Sequence, residues 1–195
     1  MIIRKQLQRL ILSVLVNPIA KILIYCHIGP NLITVIGLLL TLGVAYLLSD
    51  GSFIAAGIGL LVASLFDVLD GAVARMNKRE TKLGSVLDSV SDRIGESALF
   101  LGLLMFYLDA GESLGVILAF VAALLGFLVS YTRAKAEILG ISGTAGLVTR
   151  PERVILLSLG ALLGLMPLFL GVIAVGSLIT FVQRFIQIIQ SIKGR

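Results

Sequence analysis

Long apolar runs recur along most of this chain, and they limit the folds that it can adopt. Each run is close to the roughly 20 residues that an α-helix needs to cross the hydrocarbon core of a bilayer. The composition agrees, because 58% of the 195 residues are hydrophobic and only 14% are charged, and the mean hydropathy is +1.08. The sequence therefore predicts an all-α integral membrane protein rather than a soluble domain.

We predict six transmembrane helices within one domain, residues 30–195, preceded by an N-terminal segment, residues 1–29. That segment is expected to be a juxtamembrane amphipathic helix in the cytoplasmic interface, kinked near Pro18, because Pro18 and Lys21 interrupt its apolar run. The predicted spans cover residues 31–49, 53–75, 85–108, 114–137, 153–167 and 169–190.

The basic residues lie on one side of the predicted spans. The expected external loops, 49–52, 108–113 and 165–168, contain no Lys or Arg, so all 16 basic residues fall at the opposite ends or on the tails. Because Lys and Arg accumulate on the cytoplasmic side of membrane proteins, we expect a multi-pass protein of the cell membrane with both termini in the cytoplasm.

Four aspartates lie at the cytoplasmic ends of the second and third predicted spans. Asp67 and Asp70 are three residues apart, and Asp88 and Asp92 are four apart, so each pair occupies one helix face. The two spans are consecutive and antiparallel, and the pairs can therefore face each other. Clustered carboxylates repel unless cations compensate, and an all-oxygen ligand set suits Mg²⁺ or Mn²⁺ better than Zn²⁺.

The residues around the aspartates favour a phosphorylated ligand. Gly71 and Ala74 extend the acidic face with minimal side chains, and Arg75 suits a phosphate. Gly84 and Ser85 open the next helix, whose N-terminus also favours anions. A purely structural cluster of acids paired with nearby arginines is the weaker interpretation, because it does not explain the paired spacing or the small residues.

Together these residues spell D-x-x-D-G-x-x-A-R-x8-G-x-x-x-D-x-x-x-D between Asp67 and Asp92. The pattern resembles the signature of the CDP-alcohol phosphotransferase family, whose members transfer a phosphatidyl-type group from a CDP-linked lipid to an alcohol and release CMP. The resemblance implies a cytoplasmic active site, two Mg²⁺ ions (or Mn²⁺) on Asp67, Asp70, Asp88 and Asp92, and Asp92 as the catalytic base.

The same resemblance implies the partners of the enzyme. They are a CDP-diacylglycerol or CDP-archaeol donor, membrane lipid and a second copy of the chain in a homodimer, and we expect no nucleic-acid partner. The residues implied for binding the CDP-lipid are Pro30, Asn31, Leu32, Ile33, Gly71, Ala74, Arg75, Thr81 and Gly84.

Five basic residues lie at the predicted cytoplasmic ends of helices. This concentration of positive charge favours a phosphorylated acceptor alcohol over serine. The segments SYTRAKAE and RPERVI resemble the phosphatidylinositol-phosphate synthase branch of the family and its archaeal ether-lipid counterparts, whose acceptor is inositol 1-phosphate. By this resemblance Lys135, Arg150 and Arg153 hold the acceptor phosphate, and Arg133 and Arg184 are further candidates. Retention of positive charge on the cytoplasmic side is the alternative explanation for these residues.

Other interpretations remain open from the sequence. Glycerol 3-phosphate would also need a basic pocket and would make the protein a phosphatidylglycerol-phosphate synthase, and serine is the third acceptor. A divalent-metal transporter is an alternative of another class, because intramembrane carboxylates also mark ion pathways. Glu96, one turn after Asp92, is expected to be structural or to orient metal ligands, paired with Arg93 or acting through water.

Overall fold

The computed structural model describes residues 16–77, 81–141 and 146–193, and these residues form helices and short connections. The predicted all-α class is therefore confirmed. Most of the predicted N-terminal amphipathic helix falls on residues 1–15, outside the described ranges. The described residues contain seven helices: α1 (Asn17–Tyr25), α2 (Pro30–Ser49), α3 (Phe53–Met76), α4 (Lys82–Asp109), α5 (Ser113–Ile138), α6 (Arg150–Leu163) and α7 (Met166–Lys193).

Four of these helices, α2, α3, α5 and α7, are long and apolar enough to cross a membrane. Helix α4 has 28 residues, but charged side chains interrupt its first half. Helix α6 has only 14 residues, which is short for a full span. The described residues thus contain four helices that could span a membrane by length and composition, and the six-span layout stays a prediction.

The connection between the last two helices differs from its prediction. Helix α6 ends at Leu163 and α7 begins at Met166, so the expected boundary near residue 168 was wrong. Gly164 ends α6 with a φ of +66°, a left-handed conformation that glycine adopts without steric cost. Pro167 then lies in the first turn of α7, where the missing backbone N–H costs no helical hydrogen bond.

Contacts divide the chain into two compact units. The first unit is drawn from Met1–Gly43 and Val62–Gly95, and the second from Val44–Leu61 and Glu96–Arg195. Within the second unit, α5 and α6 both pack against α7. The core of the first unit contains Val16, Ala20, Ile33, Leu69, Ala72 and Val73, and that of the second includes Leu48, Leu60, Phe100, Leu103, Leu157 and Leu170.

Candidate active site

Three of the four predicted metal ligands come together in the first unit. Asp67 near the end of α3, and Asp88 and Asp92 near the start of α4, each offer a carboxylate oxygen, and these oxygens lie within 4.8 Å of one another. All three residues are partly exposed. Arg93 places its Nη1 atom 3.9 Å from Oδ2 of Asp92 and brings one positive charge nearby. Three hard oxygen donors at this spacing fit a divalent cation of the Mg²⁺ or Mn²⁺ type.

The fourth aspartate, Asp70, is held by a hydrogen bond. Asp70 is 5% exposed, and its Oδ2 atom accepts a 2.6 Å hydrogen bond from the Thr34 hydroxyl of α2. This bond fixes the direction of the carboxylate, which makes Thr34 a site residue that the sequence analysis missed. The only signal in the sequence is a hydroxyl one turn after Pro30 in an apolar helix, and nothing there reveals its partner 36 residues away.

A cavity of about 320 Å³ lies in the same unit, between the starts of α2 and α4 and the end of α3. Asp70, Asp88, Thr34 and Ser85 line it together with seven of the nine residues predicted for the CDP-lipid: Pro30, Asn31, Gly71, Ala74, Arg75, Thr81 and Gly84. The other two differ, because Ile33 is 2% exposed and packs in the core while Leu32 is 53% exposed. The cavity thus brings two of the four aspartates, Asp70 and Asp88, together with most of the residues predicted to bind the nucleotide.

Thr81 builds the start of α4 at the edge of this cavity. Its Oγ1 atom accepts a 3.0 Å hydrogen bond from the Gly84 N–H, and its carbonyl accepts one of 3.0 Å from the Ser85 N–H. Thr81 is therefore an N-cap, which satisfies helix-start donors. A Cβ on Gly84 would lie 3.1 Å from Thr81 Oγ1 and 3.2 Å from Asn31 Oδ1, so glycine keeps this start compact. The positive end of a helix at a cavity favours an anionic ligand.

Arg75 lies over Gly71, one turn earlier on α3. A Cβ on Gly71 would stand 3.1 Å from Nη1 of Arg75, so the guanidinium occupies the space that the missing side chain leaves. Both residues line the cavity, and Arg75 is exposed. Gly71 thus leaves space beside the helix backbone for a cation that can contact a phosphate.

Two of the predicted acceptor residues are buried in the second unit. Arg153 is 1% exposed and Arg184 is 3% exposed. Arg153 binds both carboxylate oxygens of Glu96, with Nε–Oε1 and Nη2–Oε2 distances of 2.5 and 2.9 Å, so Glu96 pairs with Arg153 and not with Arg93. Arg184 donates a 2.7 Å hydrogen bond from Nη1 to the carbonyl of Val129.

The other three acceptor candidates are more accessible. Arg133 is exposed and forms a 2.8 Å ion pair with Glu137 one turn later. Lys135 is exposed and places its Nζ atom 5.5 Å from the centre of the Tyr131 ring. Arg150 is partly buried at the first position of α6.

The start of α6, which carries Arg150 and Arg153, is fixed by local hydrogen bonds. The Thr149 N–H donates to Oε2 of Glu152 at 2.9 Å, and the pair forms a capping box. The preceding segment is anchored on α7, because Oγ1 of Thr180 accepts hydrogen bonds from the N–H groups of residues 147 and 148 at 3.1 and 2.9 Å. These hydrogen bonds hold the start of α6 in place.

Known proteins resemble this chain in both sequence and fold. The family model for CDP-alcohol phosphatidyltransferases matches residues 27–190. Phosphatidylinositol phosphate synthase of Corynebacterium glutamicum is 37% identical over 90% of this chain and 84% of its own. Archaetidylinositol phosphate synthase of Pyrococcus horikoshii is 35% identical over 85% and 86%.

A solved structure agrees with these relatives. The crystal structure of Mycobacterium tuberculosis phosphatidylinositol phosphate synthase with CDP-DAG bound matches with a TM-score of 0.80 and 32% identity, over 89% of this chain and 92% of that one. The same enzyme is also known in complex with manganese and citrate.

The family model covers most of the chain, and the relatives align over most of both sequences. The resemblance seen in the aspartate pattern is thereby confirmed, and the family supports the enzyme over the alternative of a divalent-metal transporter. The chain belongs to the CDP-alcohol phosphatidyltransferase family and is a CDP-alcohol phosphotransferase of phospholipid biosynthesis.

Proposed function

We propose that this enzyme transfers a phosphatidyl or archaetidyl group from a CDP-linked lipid to inositol 1-phosphate and releases CMP. The observation that carries the proposal is the cluster of Asp67, Asp88 and Asp92 beside a cavity that Asp88 and Arg75 line. Acidic oxygens beside a guanidinium and a helix start suit a pyrophosphate that arrives with cations. Relatives named phosphatidylinositol phosphate synthase and archaetidylinositol phosphate synthase support this acceptor.

Asp67, Asp70, Asp88 and Asp92 are proposed to hold two Mg²⁺ ions, with Mn²⁺ as a substitute. The donor set fits, since it consists of carboxylate oxygens without His or Cys. The manganese complex of the mycobacterial relative supports a divalent ion in this fold. When bound, such ions neutralise the pyrophosphate and stabilise the charge that develops on the departing CMP.

Asp92 is proposed as the catalytic base. Its carboxylate takes the proton from the attacking hydroxyl of the inositol phosphate. The hydroxyl oxygen forms a bond to the phosphorus that carries the lipid, and the bond from that phosphorus to the CMP oxygen breaks, so CMP leaves with the electron pair. The side chain of Asp92 is 18% exposed, which leaves it accessible to a substrate.

The CDP-lipid is proposed to bind in the cavity of the first unit. Arg75 would contact a phosphate, while Thr81 and Gly84 keep the N–H groups at the start of α4 in place. The proposed residues that line the cavity also include Pro30, Asn31, Gly71 and Ala74. Leu32 and Ile33 are also proposed to contribute to CDP-lipid binding, although neither lines the cavity. Ile33 would do so by packing in the core of the first unit.

The phosphate of the acceptor is proposed to bind the basic residues of the second unit. Arg153 and Arg184 would supply buried cationic groups, and Arg133, Lys135 and Arg150 would add positive charge at more accessible positions. A guanidinium suits phosphate because its planar N–H groups match the phosphate oxygens. An acceptor without a phosphate would not need this concentration of cations.

The remaining parts of the proposal concern the membrane. We propose six spans, an N-terminal amphipathic helix in the interface, both termini and the active site in the cytoplasm, and a homodimer. The one-sided distribution of Lys and Arg supports this orientation. The donor is proposed to be CDP-diacylglycerol or CDP-archaeol, since one relative is named for each type of lipid product.

A CMP-release assay with purified protein in detergent tests this function. CDP-diacylglycerol and Mg²⁺ would be supplied with inositol 1-phosphate, glycerol 3-phosphate, serine or free inositol. We expect release with inositol 1-phosphate only. Release only with glycerol 3-phosphate would keep the aspartate chemistry and overturn the acceptor, and silence with all four would be followed by the same panel with CDP-archaeol.

A further inference from the structure

Arg153 is held in one orientation by a single carboxylate. Its Nε and Nη2 atoms bind Oε1 and Oε2 of Glu96 in a bidentate pair, and the Glu96 side chain is 13% exposed. The third nitrogen, Nη1, is buried and has no hydrogen-bond partner among the described residues. Because an unsatisfied buried donor is costly, Nη1 is the part of this group that a ligand oxygen would stabilise.

Gly126 on α5 has no side chain and therefore leaves space for the pair of Arg153 and Glu96. A Cβ at Gly126 would lie 3.2 Å from Nε of Arg153, 3.4 Å from Oε1 of Glu96 and 3.5 Å from Cζ of Arg153. The guanidinium and the carboxylate are therefore packed directly against a helix backbone. The packing leaves the guanidinium little freedom to rotate away from its partner.

We propose that Glu96 is a positioning residue for the acceptor site, which orients Arg153 so that Nη1 binds an oxygen of the acceptor's phosphate. This inference rests on the proposed function, because it takes Arg153 as part of the phosphate site. Glu96 itself does not touch the substrate. It fixes the plane of the guanidinium, and Nη1 is the nitrogen that it leaves for the ligand.

The charges around Arg153 favour an anion even though Glu96 neutralises one of them. The positive charges of Arg133 and Arg153 both act on the Arg184 guanidinium, and the Glu137 carboxylate opposes them. Glu137 pairs with Arg133, so three arginines and two carboxylates leave one net positive charge. A phosphate that contacts Nη1 would gain a charge-assisted hydrogen bond within this positive region.

The first test compares Glu96→Gln with the wild type in the CMP-release assay. Glutamine has one acceptor oxygen, and its amide group would face a guanidinium N–H, so the bidentate pair is lost. We expect the KM for the phosphorylated acceptor to rise about tenfold while the KM for CDP-lipid changes less than about twofold. Glu112→Gln is the matched control, since Glu112 is an exposed acid with no side-chain cap hydrogen bond.

Two results would overturn the positioning role. Equal loss of activity at all concentrations of both substrates would show a purely structural role for Glu96. A lower acceptor KM in Glu96→Gln would show that the carboxylate competes with the phosphate for Arg153.

A double-mutant cycle separates positioning from general charge effects. In the Arg153→Lys background, the lysine ammonium cannot reproduce the planar pair of N–H donors that Glu96 orients in the wild type. We therefore expect Glu96→Gln to change the acceptor KM by less than about twofold in that background. Independent, multiplicative effects of the two substitutions would overturn the coupling.

Ligand-induced stabilisation gives a readout that does not depend on turnover. Inositol 1-phosphate should raise the thermal unfolding midpoint of the wild type, because a ligand that binds the folded state stabilises it. The increase should be smaller in Glu96→Gln and in Arg153→Lys than in Glu112→Gln. An equal increase in all four proteins would overturn the role of Glu96, whatever the rate of catalysis.

These experiments distinguish the inference from the function on which it rests. If the wild type used glycerol 3-phosphate instead, the proposed acceptor would be wrong, yet the Glu96 effect on that phosphorylated acceptor would still support the inference. If only serine or free inositol were used, both would be overturned. A wild type that neither turned over nor was stabilised by any phosphorylated acceptor would also overturn both.

Gly126→Ala tests the packing without removing a charge. The added methyl group would push the pair by a few tenths of an ångström, and we expect the acceptor KM to rise about threefold. Gly171→Ala on α7 is the control, because a Cβ there meets nothing within 4 Å. The same KM in both alanine variants would overturn the claim that the backbone at Gly126 fixes the guanidinium.

Discussion

The two units of the molecule hold their charged side chains in different ways. In the first unit, three aspartates are partly exposed and bring like charges within 4.8 Å of one another beside a cavity. In the second unit, Arg153 and Arg184 are almost fully buried and donate to protein oxygens. The aspartates thus lie beside a cavity, whereas the two arginines are packed in the protein interior.

This difference predicts different consequences for mutation. Carboxylates that repel one another do not stabilise the fold, so replacing one should reduce catalysis more than stability. A buried ion pair that loses one partner leaves the other charge uncompensated, so replacement should reduce stability as well as binding.

The largest effect is expected for Asp92→Asn. Asparagine keeps the shape but cannot accept the proton, so kcat should fall about 10³-fold, or about 4 kcal/mol in the barrier. Binding of CDP-lipid and the thermal unfolding midpoint should remain close to the wild type, and both are measured on the same preparation. Asp109→Asn, at the exposed end of α4, is the control. Near-normal turnover of Asp92→Asn would remove the base assignment.

Arg153→Ala should give the next largest effect, and unlike Asp92→Asn it should reduce stability as well as substrate binding. Glu96 would remain nearly buried without its partner, and the free energy of unfolding should fall by about 3 kcal/mol, as measured by denaturation in mixed micelles. The KM for the phosphorylated acceptor should rise much more than the KM for CDP-lipid. Equal changes in both KM values would remove Arg153 from the acceptor site, and unchanged stability would break the contrast between the units.

Much of the first unit could be predicted from the sequence, because its site is encoded by local spacing. Asp67 and Asp70 are three residues apart on one helix, and Asp88 and Asp92 are four apart on the next, so helical periodicity alone puts each pair on one face. The short connection between the helices then brings three of the four together. The glycines and Arg75 follow the same local logic, since each lies within a turn or two of an aspartate.

In the second unit, helices such as α5 could be predicted from the sequence, but the partners of the buried charged side chains could not. The sequence indicates that Arg153 is basic and near a helix start, but not that it is buried against Glu96, which is 57 residues away. The Thr34 hydroxyl is likewise 36 residues from Asp70. Such pairs depend on which helix faces meet in the folded chain. The end of α6 at Gly164 was missed for a different reason, because an apolar run continues through that turn.

Thr34→Val tests how far the carboxylates of the first unit depend on their surroundings. Valine keeps the shape of threonine but removes the donor to Asp70, so that carboxylate should lose its fixed direction. We expect kcat to fall about tenfold, or about 1.4 kcal/mol in the barrier, with Thr34→Ser restoring most of it. Thr41→Val is the control, because the Thr41 hydroxyl donates to the Gly37 carbonyl of its own helix. Equal rates in both valine variants would contradict an orienting role for Thr34.

The smallest effect is expected where an arginine of the second unit pairs at the surface instead of in the interior. Arg133 and Glu137 form a 2.8 Å ion pair, and their side chains are 57% and 59% exposed. Water screens such a pair, so Glu137→Gln should lower the free energy of unfolding by no more than about 0.5 kcal/mol. The same substitution at Glu96 should cost more, because burial and not the ion pair itself makes the loss expensive. Denaturation of both variants under one set of conditions measures the difference. Equal losses would mean that burial does not separate these two carboxylates, and the contrast drawn between exposed and buried charges would fail within a single unit.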